Sequence, residues 1–399
     1  MSVFGTLKTT RLRPWVLAAV APLVIGVSLQ ACSDGGAGAA AQTHARKAQK
    51  VVAISIAAAP VGQSRAGKSG LTPGLATFKP ARPGRKVQVL AKVGHRWKVV
   101  TTTVQDKKGN ATFNVPGAKK GKPVSYRVLA VKTSKDKPVV SKAVKSANWK
   151  LSWGDDFSGS GALNPAIWTT WAPGRMPNKF DCADVLEANA YRAGGAANLK
   201  VALLPPPTGN SKSKTCPTGQ FSNAMVEAKN PQHLLKYGFA AARVKFSPVR
   251  GQHSAFWLDV PDYATITPGN AATGAEIDIA EYFGDNRPKG GLGSFVHTMN
   301  GDQSWSSVGG EYKSRQLLPK KKEWSQGWHV YSVEWSPTGY IFRVDGAVTF
   351  KTSRSVSRIP EKVVLSSLTS NWEVKYVKPS QLPSVTKYDW VRVWQRPGA

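Results

Sequence analysis

The sequence is poor in acid, sulfur and histidine. Its 399 residues hold 23 Asp and Glu against 55 Lys and Arg, with three Cys, four Met and six His. The six His are scattered, and neither His-Glu-x-x-His nor Cys-x-x-Cys occurs, which excludes the common zinc spacings. There is no phosphate loop and no dinucleotide fingerprint. Gly290-Gly291-Leu292-Gly293 lacks the strand–turn–helix setting such a motif needs and reads as a loop. No Cys has a His partner in view, which argues against a thiol nucleophile. The longest apolar stretch, residues 16–29, is too short and interrupted for a membrane span of about 20 residues.

That stretch follows Lys8, Arg11 and Arg13, the order of an export signal. It ends in Leu29-Gln30-Ala31-Cys32, which resembles a bacterial lipoprotein cleavage box, although Gln30 stands where a small residue is usual. The expectation is a signal peptide over 1–31, lipidation of Cys32 and a place on the outer face of the cell membrane. Ordinary cleavage and secretion is the alternative. In an oxidising compartment Cys182 and Cys216 are then left as a pair. A bridge across their loop is worth roughly 3–4 kcal/mol in the chain-entropy model; two buried thiols are the bland reading.

Residues 32–50, rich in Gly, Ala, Gln and Lys, read as a flexible tether. Over 51–148 short alternating runs are separated by turn signals such as Asp106 to Asn110. They predict a small immunoglobulin-like β-sandwich. This module is intensely basic. Residues 46–150 carry 24 Lys and Arg against Asp106 and Asp136, so most of the net charge of +32 sits there. Solubility is the bland reading. A field of this size also holds polyanions, here an anionic envelope polymer or lipid surface. No nucleic-acid recognition motif accompanies it.

The scarce acids are not evenly spread. Glu276-Ile277-Asp278-Ile279-Ala280-Glu281 places three in six positions. Alternation predicts a strand with Glu276 and Asp278 on one face and the isoleucines in the core. Glu281 has the wrong parity for that face. A one-residue bulge at Ile279-Ala280, with small Ala280 as the extra residue, brings it round. An acidic solvent-facing strand is the alternative, but like charges side by side cost about 0.2–1 kcal/mol per pair. Two carboxyls held across a sugar bond are the equipment of a glycosidase.

The segment resembles the glu-x-asp-x-x-glu signature of glycoside hydrolase family 16, the laminarinase-like β-glycanases. Leu151 to Phe157, Leu163 to Trp168, Tyr237-Gly238-Phe239, Ser254 to Leu258, Gly327 to Pro337 and Tyr388 to Trp394 resemble other family segments in order. Ala280 and Leu365 to Ser370 depart from the usual laminarinase residues, so the resemblance leaves the sugar open. It implies an all-β, lectin-like jelly-roll sandwich over 149–399. Strands are expected at 223–247, 253–260, 275–283, 293–299, 328–335, 340–345, 363–369 and 387–395.

It also implies retention. Glu276 is the expected nucleophile, Glu281 the acid and base, and Asp278 the residue tuning their protons, with the two working carboxyls about 5–5.5 Å apart. Trp257 is the expected floor of the sugar site, with His297, Trp305 in the loop 300–307, and Trp171 as further contacts. Each also has a purely structural reading. No cofactor is expected. Calcium is compatible with such a fold, but no Asp-rich loop asks for it. The function expected is an endo-acting hydrolase of β-linked, β-1,3-glucan-like polysaccharide, acting as a monomer. A transglycosylase remodelling envelope glycan and a catalytically silent carbohydrate binder are the alternatives.

Overall fold

A computed structural model describes residues 46–396, apart from 63–69, 120–121, 148, 172–173, 176–179, 181, 206–218, 230, 289, 312–316 and 320–321. The segment 1–31 read as an export signal, Cys32 and Cys216 lie outside the described residues. Among these, regular structure is strand with a few single-turn 3-10 helices.

The N-terminal module is a two-sheet sandwich. Lys50–Ile56, Thr72–Lys79 and Asn110–Val115 form one sheet. Val144–Lys145, Ser125–Ala130, Lys86–Val93 and Arg96–Val104 form the other, with Val139–Val140 added beside Ser125–Ala130. Period-two alternation explains the packing. Val87, Val89 and Ala91 face Ala76, Phe78, Ala111 and Phe113 across the core, joined by Tyr126 and Val128. The first strand begins at Lys50, inside the segment read as tether. The predicted turn is built as expected: Asp106 Oδ1 accepts from the backbone N–H groups of Lys108 and Asn110, both at 2.8 Å.

Two larger antiparallel sheets make the C-terminal sandwich. The back sheet runs Ala196–Leu203, Ser384–Gln395, Gly238–Lys245, His329–Ser336, Gly339–Val344, Ala347–Thr352. Leu151–Asp155 pairs with the far half of Ser384–Gln395. The front sheet runs Trp168–Thr170, Phe221–Ala228, Lys362–Leu368, His253–Asp259, Glu276–Tyr282, Leu292–Met299, Trp305–Glu311. The sheets connect where Ala202 and Leu203 pair with Ser222 and Phe221. Between them lie Ala240, Val333, Phe342 and Val393 from the back and Phe256, Ile277, Val296 and Leu365 from the front. Each large apolar side chain buried this way contributes about 1.5–3 kcal/mol.

The back sheet is covered on its outer face too, so its central strands are buried on both sides. In Gly238–Lys245 only Lys245 is exposed. Its outward Phe239 and Ala241, with Val330, Trp390 and Trp394, pack against Ala59 and Val61, which follow the module's first strand. Trp149 seals this layer, its ring 5.3 Å from Phe239. Nearby, the Asp345-Gly346 turn, with φ of 49° and 82°, joins Gly339–Val344 to Ala347–Thr352. A side chain at position 346 would lie 2.6 Å from Asn114 Oδ1 and 2.8 Å from Pro73 Cβ, both in the module. The module is thus seated on the back sheet.

The expected strand 223–247 is two strands with a loop between, because Pro231 and the left-handed Tyr237 interrupt it. Trp305 opens a strand rather than lying in a loop. Trp305–Glu311 is rich in Ser and Gly and has no alternation to read; pairing with Leu292–Met299 makes it a strand.

Candidate active site

The catalytic candidates sit on Glu276–Tyr282, on the outer face of the front sheet. The bulge is present. Against the strand before it, Trp257 pairs with Asp278 and Phe256 with Ala280, which leaves Ile279 as the extra residue. Against the strand after it, Phe295 pairs with Asp278 and Gly293 with Glu281. The extra residue is therefore Ile279, not Ala280. The reason is local: Ile279 and Ala280 both reach the core, and the Ile279 carbonyl accepts from Ser294 Oγ at 2.7 Å. Parity is reset, and Glu276, Asp278 and Glu281 all line one cleft of about 320 Å³.

Trp257 forms the cleft floor beside Asp278, with Nε1 donating to Ser366 Oγ at 3.2 Å. Trp171 tilts against it at 5.2 Å, and the Lys362 ammonium lies 4.7 Å over the Trp171 ring. His297 stands directly across from Glu276 in the strand pair, its Nε2 3.0 Å from Asp278 Oδ2. Trp305 is 41% exposed, and its ring meets that of the cleft residue Tyr263 at 6.3 Å. Cys182 is buried near the sheet junction, in a cluster with Ala183, Val201 and Phe221.

The electrostatics are those of acids crowded away from water. Burial, then Asp278, push Glu276 well above the ordinary carboxyl range, against the pull of His297. Burial, then Glu281, push Asp278 up in the same way. Asp259, which accepts from the Tyr263 hydroxyl at 3.0 Å, is pushed up to about 7 by burial against the opposing charge of Lys362. Glu276, Asp278 and His297 have ligand atoms within 4.8 Å of one another. Such a set could meet a cation, but crowded acids of this kind equally serve proton chemistry.

Four neighbours of the carboxylates carry no assignment from the sequence. His253 Nε2 makes a short contact with Glu281 Oε1. It lies four residues before Trp257, so period-two reading of His253, Ala255 and Trp257 places it on the cleft face. Phe283 follows Glu281 by two and lines the cleft for the same reason. Asp259 and Tyr263 carried no such signal; their contact depends on the turn after the strand.

Residues 206–392 match the family model described as glycosyl hydrolases family 16. Keratan-sulfate endo-1,4-beta-galactosidase of Sphingobacterium multivorum is 22% identical over 268 residues, covering 64% of this chain and 57% of that protein. Glucan endo-1,3-beta-glucosidase A1 of Niallia circulans is 25% identical over 224 residues, covering 52% of this chain and 30% of that protein. The chain thus spans 57% and 30% of the length of these two relatives. The X-ray structure of the laminarinase from Rhodothermus marinus aligns with a TM-score of 0.49 at 21% identity, covering 62% of this chain and 98% of that one. The bulged carboxylate strand lies inside the residues, 206–392, that match the model of glycosyl hydrolases family 16.

Proposed function

We propose that the chain is a retaining, endo-acting hydrolase of β-linked polysaccharide. The observation that carries this is the bulge, which turns three carboxylates into one aromatic-floored cleft. Glu276 attacks the anomeric carbon, and Glu281 protonates the departing oxygen. Glu281 then takes a proton from water as that water releases the sugar from Glu276. Asp278 and Glu276 both have raised proton affinity and share a proton between them, since neighbouring carboxylates cannot all ionise easily. Trp257 and Trp171 offer apolar faces to pyranose rings.

β-1,3-Glucan is the first substrate to try, and the galactan activity in one relative's name makes β-galactans the second. The test is incubation of the full chain with a panel of β-glycans, reading new reducing ends and the configuration of the first product by NMR. Net retention and mid-chain cleavage are expected. An inverted product overturns retention. Sugar transfer without net new ends favours a transglycosylase, and tight binding without either favours a silent binder.

The setting is part of the same reading. The basic segment ahead of 16–29 and the box before Cys32 support export, with Cys32 lipidated or the chain secreted. The buried site of Cys182 fits a bridge to Cys216. The two-sheet module fits an immunoglobulin-like type, and its exposed Lys107, Lys108 and Lys122 support electrostatic attachment to an anionic envelope surface. Retention of the full chain on acidic wall polymer or anionic vesicles should fall steeply with salt. Retention that ignores salt, or none at low salt, removes that role.

A further inference from the structure

The His253 ring is held on four sides, one of them the Trp372 ring at 5.8 Å. Nε2 contacts Glu281 Oε1, Nδ1 lies 3.0 Å from Ser370 Oγ, and the ring stacks on Phe283 with centroids 4.8 Å apart and planes at 22°. Arg287 lies 4.3 Å over Phe283 and bonds both Glu311 and Glu373. Glu373 in turn donates its backbone N–H to the Ser370 carbonyl at 2.9 Å. Ser370, and with it the His253 ring, is anchored by a charged network outside the cleft.

We propose that His253 is a positioning residue for the acid/base step: it selects which oxygen of Glu281 faces the glycosidic bond and stabilises the carboxylate formed there. This rests on the assignment of Glu281 as acid/base. A Ser370 hydroxyl donating to Nδ1 leaves the ring proton on Nε2, aimed at Oε1. Oε2 is then the oxygen that holds the transferable proton. In the first step the Oε2–H bond breaks and its proton bonds to the leaving oxygen. That oxygen keeps the electron pair of the broken glycosidic bond, while Glu276 supplies a pair to the anomeric carbon.

Glu281 is now charged, and the Nε2–H···Oε1 bond becomes charge-assisted, about twice as strong as a neutral one. An interaction stronger after proton transfer than before it lowers the barrier. Among the described residues, the charged and titratable groups around this pair are Asp278 and Glu276 on the Glu281 strand, His297 on the next strand, Arg287 across Phe283, and Glu373 beside Arg287.

The test uses the full chain with His253→Phe, which keeps a ring to stack but no donor, and His253→Gln, which restores a donor near the Nε2 position. On unactivated β-glycan the Phe variant should lose roughly 10–100-fold in kcat, the scale of one hydrogen bond to a charged group. On an aryl glycoside with a dinitrophenolate leaving group, which needs no proton, the glycosylation rate should barely change. The alkaline limb of the rate profile should move to higher pH, because a carboxylate without its donor gives up its proton less readily. Gln should recover most of the glycan rate. Equal losses on both substrates with an unmoved limb, or a Gln variant no better than Phe, overturn the inference.

If no glycan or aryl glycoside is turned over, the hydrolase reading has failed, and the ¹⁵N spectrum of His253 judges the pairing alone. A proton on Nε2 that is lost or redistributed in Ser370→Ala upholds the arrangement. A proton on Nδ1 overturns it.

Discussion

Ile279 and Ala280 are neighbours in the chain and neighbours in the core. In a regular strand one of them would face the cleft. Their shared direction makes the strand present Glu281 to the same side as Glu276 and Asp278. Inserting or deleting one residue there returns Glu281 to the core, so the spacing of the acids and the bulge stand or fall together.

Glu276→Gln should abolish turnover, by at least about a thousandfold, or roughly 4 kcal/mol of transition-state stabilisation. Azide should rescue Glu276→Ala and yield an α-glycosyl azide from a β-linked substrate. A β-azide product, or full activity in Glu276→Gln, would exclude the assigned nucleophile.

The same replacement should stabilise the fold. Burial and Asp278 raise the proton affinity of Glu276 above its unfolded value. The stability linked to it is complete below the unfolded pKa and is lost as pH rises through the folded one. Glu276→Gln should therefore melt higher than the parent at pH 7, by about 1–2 kcal/mol. The gap should close near pH 4. Calorimetry of both proteins across pH 4–8 checks this; an equal gap at all pH values contradicts it.

Asp259 gives a second linkage. Its carboxyl is pushed from 3.8 up to about 7, chiefly by burial. Its contribution to stability is fully present below about pH 4 and is lost as pH rises through 7. Asp259→Asn, which still accepts from Tyr263, should flatten that decline in urea-unfolding free energy.

Trp171 is half-buried at the cleft wall, so its removal should spare the fold and weaken substrate contact. Trp171→Ala should cost about 0.5–1.5 kcal/mol in kcat/KM, most of it in KM. A fall in kcat alone would place Trp171 away from bound sugar.

Val61 is fully buried in the layer between the module and the back sheet. Val61→Ala should cost about 2 kcal/mol of stability. If denaturant unfolding is unchanged, that layer contributes nothing in solution.

The front-sheet strands at 253–259, 276–282, 292–299 and 362–368 were legible because alternation, β-branched residues and bounding turns agree there. Glu276, Asp278, Glu281, Trp257, His297 and Trp171 converge on one cleft; the three acids could be named from their strand, His297 from the family resemblance and Trp171 only as an aromatic in loop-like surroundings. Trp305–Glu311 was not legible, since a Ser- and Gly-rich strand is defined by its partner rather than by itself. His253 was visible in principle, two steps of two before Trp257. What hid it is that its importance comes from Glu281 on another strand and Ser370 on a loop, and strand pairing is not written in either segment alone.

The module sits on the back sheet, and the cleft opens on the far face of the front sheet. The thickness of the sandwich separates them. What meets the module therefore approaches from the side away from the cleft, and the two faces can be altered independently of each other.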